Sequence, residues 1–154
     1  AEAAIPNVDE IISEKRKIFE KMIDVELNLS DGAMTMLSRL FQKYKMGIVT
    51  SMPAKLTDIL LQKFKLQKFF DVVVDLESCD TTKPDGAPYS IAVSFMNVPP
   101  EKCIAVEYTN YGVRSAKENG IYTVGIPDPQ SKKNIPVQEA DAVIGNVSDF
   151  ISLF

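Results

Sequence analysis

Three residues stand where an α/β chain presents its reactive groups. Thr50 closes the apolar run GIVT, Lys83 lies in the loop ESCDTTKPDGA after the run FFDVVVDL, and Glu107 ends CIAVE. A hydroxyl, an ammonium and a carboxylate at strand ends are what phosphoryl transfer asks for: the first two hold the oxygens of the moving group, and carboxylates hold Mg²⁺. Each residue also has an ordinary reading. Thr50 in VTSMPA caps the helix that follows. Lys83, before Pro84 and an Asp85-Gly86 turn, is a solvated loop residue. Glu107 caps a helix beginning near Asn110. Of the three, Glu107 is the most informative, because a carboxylate ending a buried run is desolvated unless a cation, a metal or backbone N–H groups compensate it.

Composition removes several other chemistries. The 154 residues contain no histidine, which excludes Ser-His and Cys-His nucleophiles. Cys79 and Cys103 have no C-x-x-C spacing, so reduced thiols in an intracellular compartment fit best. A formal charge of −4, with no run of basic residues, argues against a nucleic-acid partner. No apolar stretch approaches the roughly 20 residues that span a bilayer, so no membrane insertion is expected and the protein reads as soluble. The sequence opens at Ala1 rather than Met, which processing, a boundary or further upstream sequence would each explain.

The elements that must position the three residues follow from periodicity. Asn7 with Glu10 makes a capping box, and Ile11, Ile12, Ile18, Phe19, Met22 and Ile23 recur at helical spacing to about residue 25. Ser30 or Asp31 caps a second helix carrying Met34, Leu37, Leu40, Phe41 and Tyr44 on one face, and MGIVTS is a short buried strand. Pro53 opens a third helix with Leu56, Ile59, Leu60 and Phe64, and FFDVVVDL is the next strand. A helix over 88–97, the strand CIAVE, a helix from Asn110 to Gly120 and the strand IYTVGI come next. The turn-rich PDPQSKKNIP, the strand DAVIG and a closing helix at SDFISL end the chain. Met34, Met36 and Met46 read as core fillers, and Tyr111 and Arg114 as residues flanking the site. Strands alternating with single helices predict an α/β fold, Rossmann-like, with three α/β/α layers and a mostly parallel sheet whose ligands bind beyond the carboxyl ends of the strands. No G-x-G-x-x-G follows a strand, which argues against a dinucleotide site, and Asp75 is the single acidic candidate for a receiver-type site.

With these residues in place, the sequence resembles the haloacid dehalogenase superfamily, in its phosphoglucomutase-like branch of capped sugar-phosphate phosphatases. GIVTSMPAKLTDILLQKFKLQKFFDVVV is similar to the second motif of that family, TTKPDGAPYSIAV to the third and PPEKCIAVEYTNYGVRSAKENGIYTVGI to the fourth. The resemblance implies that Thr50 hydrogen-bonds the phosphoryl group, that Lys83 neutralises it and that Glu107 belongs to an acidic pair holding Mg²⁺, with a small phosphorylated metabolite as substrate. Thr109 and Gly112 match the same motif.

Two departures shape the expectation. Tyr108 stands where the family carries a metal-binding aspartate, and a phenol is a poor Mg²⁺ ligand. No Asp-x-Asp occurs in the sequence, although the family begins with a strand ending in that motif, which supplies nucleophile and general acid. Asp24-Val25-Glu26 and Asp128-Pro129-Gln130 fall at a helix end and in a late loop, so neither replaces it. The family's first strand lies between those ending here at Thr50 and Glu107, so its absence leaves unpaired backbone groups mid-sheet. Residues 1–29 read as a remnant of a helical cap and 30–154 as the core. The expected function is a catalytically inactive structural or binding subunit, with another polypeptide completing the sheet. The alternative is an active Mg²⁺-dependent phosphatase or phosphomutase whose Asp-x-Asp segment lies elsewhere.

Overall fold

In a computed structural model of the chain, residues 7–25, 27–127, 137 and 139–153 are described. The expected alternation is present: α1 (Val8–Val25), α2 (Ala33–Leu40), β1 (Gly47–Val49), α3 (Ala54–Lys63), β2 (Val72–Val74), α4 (Ala87–Met96), β3 (Ile104–Glu107), α5 (Asn110–Lys117), β4 (Tyr122–Gly125) and β5 (Ala142–Val143). Short 3₁₀ turns join several of these, and Val147–Leu153 closes the chain as 3₁₀ helix. PDPQSKKNIP lies outside the described residues except for Pro127.

All strand pairs are parallel, as predicted, but they form two sheets, β1-β2 and β3-β4-β5. The ladder shows which edge of each strand is free. Thr50 N–H donates to Val74 O at 2.8 Å and Asp71 N–H to Met46 O at 2.8 Å, so the even-numbered residues of β1 face β2. Val49 therefore turns its N–H and C=O the other way. Ile126 N–H donates to Glu107 O at 2.8 Å, so Ala105 and Glu107 face β4 and Ile104 and Val106 face away from it. Among the described residues no strand lies between β1 and β3. Beside this seam Ile104 and Val106 are 41% and 39% exposed, an unusual state for the apolar residues of a parallel strand.

Two apolar clusters hold the layers. Tyr89, Val93, Ala105, Ala116 and Ile121 pack with Val49, Met96 and Cys103, joining α4 and α5 to the strands on one face. Val124, Ile144 and Phe150 pack with Met36 and Leu40 of α2 on the other. Because α4 packs on β1 and its Tyr89 donates to Glu107 at the end of β3, α4 spans the seam from one side.

Several local expectations are corrected. The N-cap of α2 is Gly32, at φ 81°, with no side-chain cap, so neither Ser30 nor Asp31 performs that role; Ser30 contributes its carbonyl to Ala33 N–H at 3.0 Å. The helix ends at Leu40, before the positive-φ Gln42, which takes Tyr44 out of the expected stripe and leaves it 59% exposed. Met34 is 41% exposed and fills no core gap. In α3 the inward residues are Leu56, Thr57 and Leu61. The capping box of α1 forms as expected: Glu10 N–H donates to Asn7 Oδ1 and Asn7 N–H to Glu10 Oε2, both at 3.2 Å. That helix rests on α3 through buried Ile23, the Lys63 to Ile23 carbonyl hydrogen bond and the Lys55–Glu20 ion pair at 2.6 Å, while Ile11, Ile12 and Ile18 stay exposed.

Candidate active site

The carboxyl ends of β1 and β3 bring all three sequence candidates together. Thr50 is the first residue past β1 and is half-buried. Its Oγ1 accepts Met52 N–H at 3.1 Å, which folds the loop after the strand, and its O–H proton remains to donate. The capping reading fails, since the N-cap of α3 is Pro53 with no side-chain cap.

Lys83 is not a solvated loop residue. Its side chain is 13% exposed, and its Nζ donates to Val49 O at 3.0 Å and to the Glu107 carboxylate while lying 5.2 Å from the centre of the Tyr89 ring. The ammonium thus ties the edge of β1 to the end of β3 across the seam. Its loop is pinned from α5 and the turn after it: Ser115 Oγ donates to Asp85 O, and Asn119 Nδ2 donates to Gly86 O at 2.7 Å. Asp85 Oδ1 in turn accepts Ala87 N–H at 2.8 Å and starts α4.

Glu107 is 5% exposed, and three donors meet its carboxylate. Lys83 Nζ and Tyr89 O–H reach Oε1, the latter at 2.7 Å, and Tyr108 N–H approaches Oε2 at 3.3 Å. The carboxylate lies against the backbone of Gly112, where any side chain would overlap it, so glycine there serves close approach. Thr109 caps α5 by accepting Gly112 N–H at 3.0 Å, which removes the capping reading of Glu107. Burial, then the charge and hydrogen bond of Glu107, push the Tyr89 phenol far above its ordinary range, so it stays a donor.

Tyr89 is the partner that sequence reasoning missed, although it lies inside TTKPDGAPYSIAV. The available signal was a lone phenol in the first turn of the apolar helix α4, where a buried O–H must find an acceptor.

The remaining candidates are engaged elsewhere or stand apart. Tyr108 is 66% exposed and Tyr111 63%. Arg114 makes a two-pronged pair with Glu139, at 3.0 and 2.7 Å to one carboxylate oxygen. Asp75 accepts Ser78 O–H at 2.6 Å in a capping box, which is a turn and no receiver site. Asp24 lies in α1, while Glu26 and Asp128-Pro129-Gln130 are outside the described residues.

Mg²⁺ requires several hard oxygen ligands. Among the described residues no group of three or more His, Cys, Asp or Glu side chains is arranged to hold a metal ion. The Glu107 carboxylate is held by Lys83 and Tyr89, and its neighbour in sequence is a phenol, so these residues by themselves do not fit the metal.

A family model described as haloacid dehalogenase-like hydrolase matches residues 2–126. Validoxylamine A 7'-phosphate phosphatase of Streptomyces hygroscopicus subsp. limoneus is 31% identical over 120 residues, which is 77% of this chain and 55% of that protein. The crystal structure of CbbY from Rhodobacter sphaeroides in complex with phosphate superposes with a TM-score of 0.84 at 21% identity, over 96% of this chain and 67% of that one. That of beta-phosphoglucomutase from Clostridium difficile gives 0.78 at 20% identity, over 94% and 65%. The chain spans little more than half the length of the validoxylamine phosphatase it matches. No helix among the described residues is long and apolar enough to cross a membrane.

Proposed function

The chain belongs to the haloacid dehalogenase-like hydrolase family, and from that premise we propose that it is a phosphate-ester-binding domain that does not hydrolyse its ligand unaided. It serves as a structural or binding subunit whose seam receives a strand from another polypeptide segment. In this reading α1 is the last helix of a cap and residues 30–154 are the core. The observation that carries the proposal is the position of Lys83: a largely buried ammonium at the mouth of the seam, bonded to Val49 O on one side and Glu107 on the other, with Thr50, whose hydroxyl keeps a proton to donate, the residue after Val49. An oxyanion arriving there meets a fixed cation and a hydroxyl donor. No Asp-x-Asp is among the 154 residues to attack it.

A second reading is favoured by the order and convergence of Thr50, Lys83 and Glu107, and by the phosphatase activity that the name of the Streptomyces relative records. Under it, an Asp-x-Asp strand supplied from elsewhere makes the domain a Mg²⁺-dependent phosphatase or phosphomutase on a small phosphorylated metabolite.

One experiment separates the two. A synthetic peptide with a β-branched run ending in Asp-x-Asp is added to the purified chain, and both peptide binding and release of phosphate from p-nitrophenyl phosphate in MgCl₂ are followed. The expected result is saturable peptide binding without turnover, since Tyr108 still stands at the metal position. Turnover with peptide would establish the second reading, and turnover by the chain alone would overturn the first.

A further inference from the structure

The carboxylate of Glu107 is already neutralised from within the fold. Oε1 takes the Lys83 ammonium and the Tyr89 hydroxyl together, and Oε2 lies over the backbone of Tyr108 and Gly112. A divalent ion drawn to this oxygen pair would have to displace Lys83 or sit beside it, with two cations then facing one carboxylate. Lys83 Nζ has three N–H donors, and two are spent on Val49 O and Glu107, which leaves one for an incoming oxyanion. The Tyr89 ring carries the ammonium on its face while its hydroxyl fixes the carboxylate, so a single side chain sets the geometry of both charges.

We infer that in the Lys83–Glu107–Tyr89 triad the ammonium and the phenol occupy the carboxylate that a divalent cation would need, so that a phosphate ester binds through Lys83 and Thr50 without Mg²⁺, with Tyr89 as the residue that positions Glu107. The inference rests on the phosphate-ester-binding reading above and adds to it how the site is charged. It also predicts an opposite sign from a metal site. In a metal site Glu107 aids phosphate binding by holding the cation. Here it competes with phosphate for Lys83 and repels the dianion.

The test is a titration with inorganic phosphate, followed by the amide NMR shifts of Thr50 and Lys83, in EDTA and in millimolar MgCl₂. Phosphate affinity is expected to agree within about twofold between the two buffers, because no ligand set for the metal is present. E107Q, which keeps the shape and removes the repelling charge, is expected to tighten phosphate about threefold or more. Y89F leaves Glu107 one donor poorer, so it pulls harder on Lys83 and phosphate weakens. In the E107Q background the same Y89F change should have no effect, which a merely structural role of the phenol would not produce. Phosphate binding that tightens about tenfold with Mg²⁺, or that weakens in E107Q, would overturn the triad while leaving the phosphate reading intact. Absence of any shift at Thr50 and Lys83 in both wild type and E107Q removes that reading, and the inference with it.

Discussion

Lys83→Met should cost the fold about 3–5 kcal/mol, because it removes the ammonium and leaves Glu107 charged at 5% exposure with only neutral donors. The pair is buried on both sides, at 13% and 5% side-chain exposure, so solvent screening does not reduce the loss as it would for the Lys55–Glu20 pair, where the lysine is 74% exposed. Urea unfolding monitored by far-UV circular dichroism reads the effect as a shift of the midpoint. The double variant Lys83→Met with Glu107→Gln should recover most of it, since the neutral amide removes the orphaned charge and still accepts the Tyr89 hydroxyl. A single variant that unfolds at the wild-type midpoint would mean that Lys83 is solvated after all. A double variant as unstable as the single one would place the cost in packing and not in the orphaned charge.

Tyr108→Asp should raise Mg²⁺ affinity at least about tenfold, a floor set by the 10- to 100-fold that even the outer partners of metal ligands are worth. The residue is 66% exposed, and substitutions at such surface positions usually stay within about 0.5 kcal/mol, so the fold should be undisturbed. A new carboxylate beside Glu107 would supply the second hard ligand that the site lacks and would offer Glu107 a reason to turn from Lys83. Titration with Mg²⁺, followed at the amides of Tyr111 and Gly112, measures the gain directly. Phosphate affinity in this variant should also become sensitive to Mg²⁺. Unchanged Mg²⁺ affinity would show that the phenol at position 108 is not what keeps the metal out.

The order of elements was legible because each one carries its own period: the capping box at Asn7 and Glu10, the β-branched run at Val72–Val74 and the apolar run before Glu107 are local signals, and each formed where it was read, although Ile104 and Val106 are exposed. What misled were choices among local alternatives. Gly32 supplies the start of α2 through its left-handed backbone where Ser30 and Asp31 looked chemically suited, and Gln42 ends that helix region with a positive φ that no sequence rule marks. At the site, the strand-end rule pointed to Thr50, Lys83 and Glu107, and the structure brings Lys83 onto Glu107 beside the end of β1. The rule could not show that Lys83 is buried. Its partners are 34 and 24 residues away in sequence, and only the packing of α4 and α5 brings them within reach. Tyr89 was hidden for the same reason: its acceptor lies 18 residues on, across the helix–strand interface. The gap between β1 and β3 was anticipated from the resemblance of the motifs, since no local pattern tells a strand which neighbours it will have.

The seam is the central claim, and amide hydrogen exchange tests it most directly. The N–H groups of Val49 and Val106 face away from β2 and β4, whereas Thr50 N–H is bonded to Val74 O at 2.8 Å and Ile126 N–H to Glu107 O at 2.8 Å. In the chain alone, Val49 and Val106 should exchange much faster than Thr50 and Ile126. With the Asp-x-Asp peptide bound, they should slow to the rates of those paired neighbours. Protection of Val49 and Val106 equal to that of Thr50 and Ile126 before any peptide is added would contradict the account, because it would mean that the two sheets are already joined.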